Sequence, residues 1–132
     1  MADTPARNAR PLSPHLQVYR LTMTMAMSIV HRITGVGLYF GTLLFVWWLF
    51  AAATSRGFEA LNGFFSTWFG QVLLFGYSWA LVHHMLGGIR HLIWDTGRGL
   101  GATEREFFAW ATLAGSISLT ILVWLFGLML RG

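Results

Sequence analysis

Three long stretches of this chain, 33–53, 61–89 and 107–130, carry no Asp, Glu, Lys or Arg. Each exceeds the roughly 18 residues that mark a membrane-spanning helix. At about 1.5 Å rise per residue, even the shortest covers the ~30 Å hydrocarbon layer. Only 11% of all residues are charged and 55% are hydrophobic, against about 25% charged in soluble domains. The expected fold is therefore an all-α membrane protein with three transmembrane helices, at about 28–53, 66–93 and 107–130. Residues 1–27 form an N-terminal segment that includes the start of the first helix, and 28–132 form the membrane domain.

The charges orient the spans. All nine basic residues are Arg. Arg7, Arg10, Arg20 and Arg32 precede the first span, and Arg90, Arg98 and Arg105 follow the second. Only Arg56 and Arg131 fall on the opposite side. The positive-inside rule then places the N-terminus and the second loop in the cytoplasm. This distribution accounts for the basic balance through the lipid bilayer, with no nucleic acid as partner. Residues 1–20 contain three Arg, three Pro and no apolar run, so they do not read as a cleavable signal. A multi-pass protein of a bacterial inner membrane is the expectation. Trp47 and Trp48 near one end of a span, and Trp94 near the end of another, suit the interfacial belts. The segment around Arg56, Gly57, Glu59 and Gly63 is expected as a turning loop. Thr103 and Glu106 are spaced as a capping box opening the third helix.

The chain has no Cys, which excludes a disulfide framework, a thiolate-held iron–sulfur cluster and a Cys-x-x-Cys-His haem attachment. His84 is the informative residue. An imidazole inside an apolar span is costly, and so is a functional-site hypothesis by default. His84, Gly87, Gly88 and His91 recur at i, i+3, i+4 and i+7, on one helical face. The glycines leave room for a flat macrocycle beside His84, and neutral imidazole ligates haem iron. His84 would lie about 9 Å from Arg90 along the helix, putting Arg90 and His91 where haem propionates would emerge. The competing reading is packing: a membrane His also hydrogen-bonds neighbouring helices, and paired Gly is common at close crossings. Spacing alone does not choose between them. His83, turned by about 100°, reads as a packing or bracing residue.

Ser28, His31, Arg32 and Gly35 repeat the same spacing at the matching end of the first span. Hydroxyl, imidazole and guanidinium there could hydrogen-bond a quinone carbonyl. Taken alone, the pattern favours snorkelling of His31 and Arg32 to lipid phosphate. No other span offers a mid-depth His, Met or Cys to pair with His84, so a second axial ligand would come from another chain. Gly37 and Gly41 read as a small-xxx-small packing face.

Three motifs in order, Arg10-Pro-Leu-Ser-Pro-His-Leu16, Ser28-Ile-Val-His-Arg-Ile-Thr-Gly35 and His84-Met-Leu-Gly-Gly-Ile-Arg-His-Leu-Ile-Trp-Asp95, resemble those of the cytochrome b556 anchor subunits of succinate dehydrogenases. The resemblance covers about residues 10–97; the third span matches only as a hydrophobic helix. It implies a non-catalytic-alone subunit of a succinate:ubiquinone oxidoreductase, respiratory complex II. The implied partners are a flavoprotein, an iron–sulfur protein and a second, sister three-helix anchor. The implied cofactor is haem b shared with that sister, with ubiquinone as substrate. Carried over, His84 would be the axial iron ligand, and His31, Arg32 and His91 would surround the propionates. Ser28 and Arg32 would line the quinone pocket, and Asp95 would stand near its proton supply. The alternatives are an anchor of a quinol:fumarate reductase, or a non-redox membrane scaffold or small transporter subunit.

Overall fold

A computed structural model describes residues 20–131. The Arg10–Leu16 motif and the rest of the leading segment through residue 19 lie outside the described residues. Four helices follow in order: α1 (Met23–Thr54), α2 (Phe58–Ser66), α3 (Trp68–Asp95) and α4 (Ala102–Arg131). Three of them, α1, α3 and α4, are long and apolar enough to cross a membrane, and the described residues contain no strand. The fold is the expected all-helical membrane architecture. Spans α1 and α3 run antiparallel, since Thr42 reaches Tyr77 and His31 reaches His84. Likewise α3 and α4 are antiparallel, with His83 on Ser116 and Phe75 edge-on to Trp124.

Local chemistry sets the ends. Thr22 opens α1: its carbonyl accepts from Ala26 N–H at 3.0 Å and its hydroxyl from Met25 N–H at 3.4 Å. The turning loop after α1 differs from expectation, because Phe58–Ser66 is a separate helix. The reason is Thr67, whose extended backbone stops α2 while its side chain opens α3. Its hydroxyl donates to Phe64 C=O at 2.6 Å and accepts from Gly70 N–H at 3.1 Å. Gln71 Nε2 closes the corner by donating to Phe65 C=O at 2.5 Å. Gly70 is required there, since a Cβ would collide with the Phe64 carbonyl. The apolar run 61–89 is thus split between two helices.

At the other end of α3, Gly97 takes a left-handed φ of 76° and its N–H reaches Trp94 C=O at 2.8 Å. This is an αL helix stop of the kind glycine serves best. The capping box of α4 sits two residues earlier than the Thr103–Glu106 spacing suggests. Glu104 Oε2 accepts from Gly101 N–H at 3.1 Å, and Gly101 C=O accepts from Arg105 N–H at 2.9 Å. Glycine as N-cap contributes no side chain, so the hydroxyl-based pattern points to the wrong pair.

Burial is inverted relative to a soluble protein. Thr34, His83, Arg90, Thr112, Ser116 and Thr120 are buried, while most large aliphatic and aromatic side chains are exposed. In lipid there is no hydrophobic gain from hiding Leu or Phe, so close packing and hydrogen bonds drive association. The buried face of α4 is a stripe of small residues, Ala109, Thr112, Ser116 and Thr120. Thr112 and Thr120 satisfy their own hydroxyls by donating to Phe108 C=O and Ser116 C=O, each at 2.7 Å. Between α1 and α3, Gly41 receives the Tyr77 ring, where any Cβ would overlap it. Its expected companion Gly37 has nothing within 4 Å of a Cβ, so the small-residue face is a single notch. Gly41→Leu is expected to cost about 1–3 kcal/mol by overpacking, read as a lower thermal midpoint of the detergent-solubilised protein.

Candidate functional site

The α1–α3 crossing holds a histidine cluster. His31 and His84 lie stacked, with ring centroids 4.0 Å apart and planes 12° from parallel. His91 meets His31 edge-on at 5.5 Å, and Trp94 meets His91 at 5.2 Å. Each stacked imidazole sits over a glycine of the opposite helix. A Cβ on Gly35 would lie 3.0 Å from His84 Cε1, and one on Gly87 would run into the His31 ring. The space beside Gly87, expected to admit a flat macrocycle, is therefore filled by His31. Gly88 has nothing within 4 Å of a Cβ.

The protonation pattern of His84 follows from its partners. Nδ1 lies 3.1 Å from the His31 backbone carbonyl, which can only accept. The proton is thus on Nδ1, and Nε2 carries the lone pair a metal would use. Thr34 completes the arrangement: its hydroxyl donates to the same carbonyl at 2.9 Å and presents its oxygen 3.4 Å from Nδ1.

Beside this cluster lies a buried cation. Arg90 is 4% exposed, and its guanidinium carbon stands 5.0 Å over the Trp94 ring. Its Nε and Nη1, together with Trp94 Nε1 and His31 Nε2, are buried without a hydrogen-bond partner. Three of these four atoms can only donate. Chemically, the site offers a directed imidazole lone pair and a set of donors suited to an anion. Among the described residues no three His, Asp or Glu side chains gather as a metal-binding set.

His83 points the other way. It is 1% exposed, and Nδ1 lies 3.0 Å from Ser116 Oγ. The Ser116 proton goes to Leu113 C=O at 2.9 Å, which leaves the serine oxygen to accept from His83. Its ring also leans on Trp79 at 5.0 Å. This is the packing role that its position on the helix suggests.

A family model for the succinate dehydrogenase/fumarate reductase transmembrane subunit matches residues 6–123. The chain belongs to this family. It is 46% identical over 123 residues to the succinate dehydrogenase cytochrome b556 subunit of Paracoccus denitrificans, covering 92% of this chain and 94% of that one. The same-named subunit of Rickettsia felis is 36% identical over 117 residues, covering 89% and 92%. The mitochondrial succinate dehydrogenase cytochrome b560 subunit of Sus scrofa is 46% identical over 96 residues, covering 69% of this chain and 56% of its own length. The resemblance carried by the three motifs is thereby shown, and the protein is a complex II transmembrane subunit.

Within this transmembrane subunit, the expected site residues divide. His31, His84 and His91 come together, with His91 exposed and the other two half-buried. Ser28 and Arg32 are exposed on α1, and neither side chain shares in the hydrogen bonds of the cluster among the described residues. Asp95 is exposed at the end of α3. Sequence reasoning missed Thr34 as a partner of His84, and it missed the depth of Arg90. The second was legible: His83, Gly87 and Arg90 follow a four-then-three spacing, the stripe α3 buries. If the His83–Ser116 bond behaves like others in membranes, a double-mutant cycle with His83→Ala and Ser116→Ala should return about 0.6 kcal/mol and at most roughly 1.7.

Proposed function

We propose that the chain is the membrane-anchor cytochrome b subunit of a succinate:ubiquinone oxidoreductase in a bacterial inner membrane. The observation that carries this is His84, held with its Nδ1–H on a backbone carbonyl and its Nε2 lone pair free, beside an Arg90 whose buried donors lack partners. These residues fit a b-type haem: one imidazole nitrogen for iron, and obligate donors for carboxylates. The relatives' names, cytochrome b556 and cytochrome b560, support the same cofactor. Bound haem supplies a one-electron carrier whose potential the surrounding protein tunes.

In this reading His84 would hold the haem iron from this chain, and a sister three-helix anchor would supply the second ligand. His31, His91, Arg32 and the buried Arg90 would hold its carboxylates. Ser28 and Arg32, exposed at the same end of α1, face a partner subunit and line a quinone pocket with it. There the serine hydroxyl and the guanidinium donate to a quinone carbonyl and stabilise the charge that develops during reduction. A flavoprotein oxidises succinate, and an iron–sulfur protein delivers electrons to this cytoplasmic-side pocket. The anchor orients the pocket and keeps it near water for protons, with Asp95 beside it. The family description names fumarate reductase as well, so an anchor working in the opposite direction is the second reading. The succinate dehydrogenase names of the relatives favour the first.

A dithionite-reduced minus oxidised spectrum of the purified complex should show a b-type band, and His84→Leu should lose it. No band in the wild type would leave only a haem-free anchor or a scaffold. Arg32→Leu should lower succinate:quinone activity at least tenfold while dye-linked succinate oxidation stays intact. Equal loss of both would make Arg32 an assembly residue.

A further inference from the structure

We propose that Thr34 is a positioning residue that fixes the rotational setting of the His84 imidazole. The inference rests on His84 being the axial ligand. The ring is constrained on three sides by α1. Its face lies against His31 at 4.0 Å. Its Cε1 edge lies tight against Gly35, where a Cβ would fall 3.0 Å away. Its Nδ1–H is presented to two oxygens, the His31 carbonyl at 3.1 Å and Thr34 Oγ1 at 3.4 Å.

The two oxygens are tied together, because the Thr34 hydroxyl spends its own proton on the His31 carbonyl at 2.9 Å. Its lone pairs are therefore what it turns toward His84. Thr34 is 4% exposed, so its rotamer is set by packing, and water does not compete for the hydroxyl. A single acceptor on the helix axis would let the imidazole swing about the Nδ1–H···O direction. A second acceptor one turn along α1 removes that freedom. Orienting a ligand ring through the hydrogen bond on its other nitrogen is how protein groups tune a metal they never touch.

The test compares Thr34→Val, which keeps the volume and removes the oxygen, with Thr34→Ser, which keeps the oxygen. Both are made in the assembled complex. The readout is the low-field electron paramagnetic resonance signal of the oxidised low-spin haem, which responds to the planes of the axial imidazoles. Thr34→Val should shift or broaden that signal, and Thr34→Ser should restore the wild-type position. Loss of the haem band in Thr34→Val with a wild-type Thr34→Ser supports the proposal equally. An unchanged signal in Thr34→Val overturns it. So do identical changes in both variants, since the hydroxyl is then not what holds the ring. Absence of any haem in the wild type instead defeats the axial-ligand reading itself, and this inference with it.

Discussion

The α1–α3 crossing depends on a reciprocal exchange: each helix gives a histidine and receives one over a glycine. His31 occupies the notch at Gly87, and His84 the notch at Gly35. Close approach of the two backbones brings the His31 carbonyl within 3.1 Å of His84 Nδ1, so one packing event sets both the helix spacing and the imidazole tautomer. A Cβ at Gly87 would run into the His31 ring, and one at Gly35 would press on His84 at 3.0 Å, so both positions hold the two rings where they are. Packing and site chemistry are the same interaction here. That is economical in a bilayer, where helix association has no hydrophobic drive of its own.

The buried hydroxyls of α4 obey the same constraint. Lipid offers no partner to a stray hydroxyl, and Thr112, Ser116 and Thr120 therefore bond to carbonyls of their own helix. Ser116 is the exception with a second duty, accepting from His83 across the α3–α4 seam. The two adjacent histidines of α3 thus serve different neighbours. His83 ties α3 to α4 through a side chain, and His84 ties α3 to α1 through the backbone. The 100° between successive helical positions is enough to give consecutive identical residues unrelated environments.

Much of this was legible in the sequence, and the exceptions have physical causes. The three spans follow from charge depletion alone. The short helix α2 was hidden because its aromatic residues run on without a charge into α3; the break comes from the backbone of Thr67, whose β-region φ/ψ no hydropathy pattern reports. The cap of α4 was misplaced because glycine, which has no side chain to signal the role, is the capping residue. At the site, periodicity grouped His84 with His91 and His31 with Gly35. It could not say that His31 fills the Gly87 notch, because that depends on how far α1 and α3 slide along each other. Helical spacing constrains faces; register between helices is decided by shape.

Arg90 carries the last consequence. Desolvating a cation costs several kcal/mol, and the contact with Trp94 recovers on the order of 2 kcal/mol. Snorkelling would relieve the difference, yet the side chain is buried, with Nε and Nη1 unpartnered among the described residues. Arg32, by contrast, is exposed. A chain that could turn both guanidiniums to water turns one and sequesters the other. Its Nε and Nη1 have no partner among the described residues, and an anion placed there would stabilise it. The tautomer of His84 asks in the same way for an electrophile at Nε2. A single group that meets both demands carries a Lewis-acidic centre and carboxylates on one rigid frame, which is the chemistry proposed for this site.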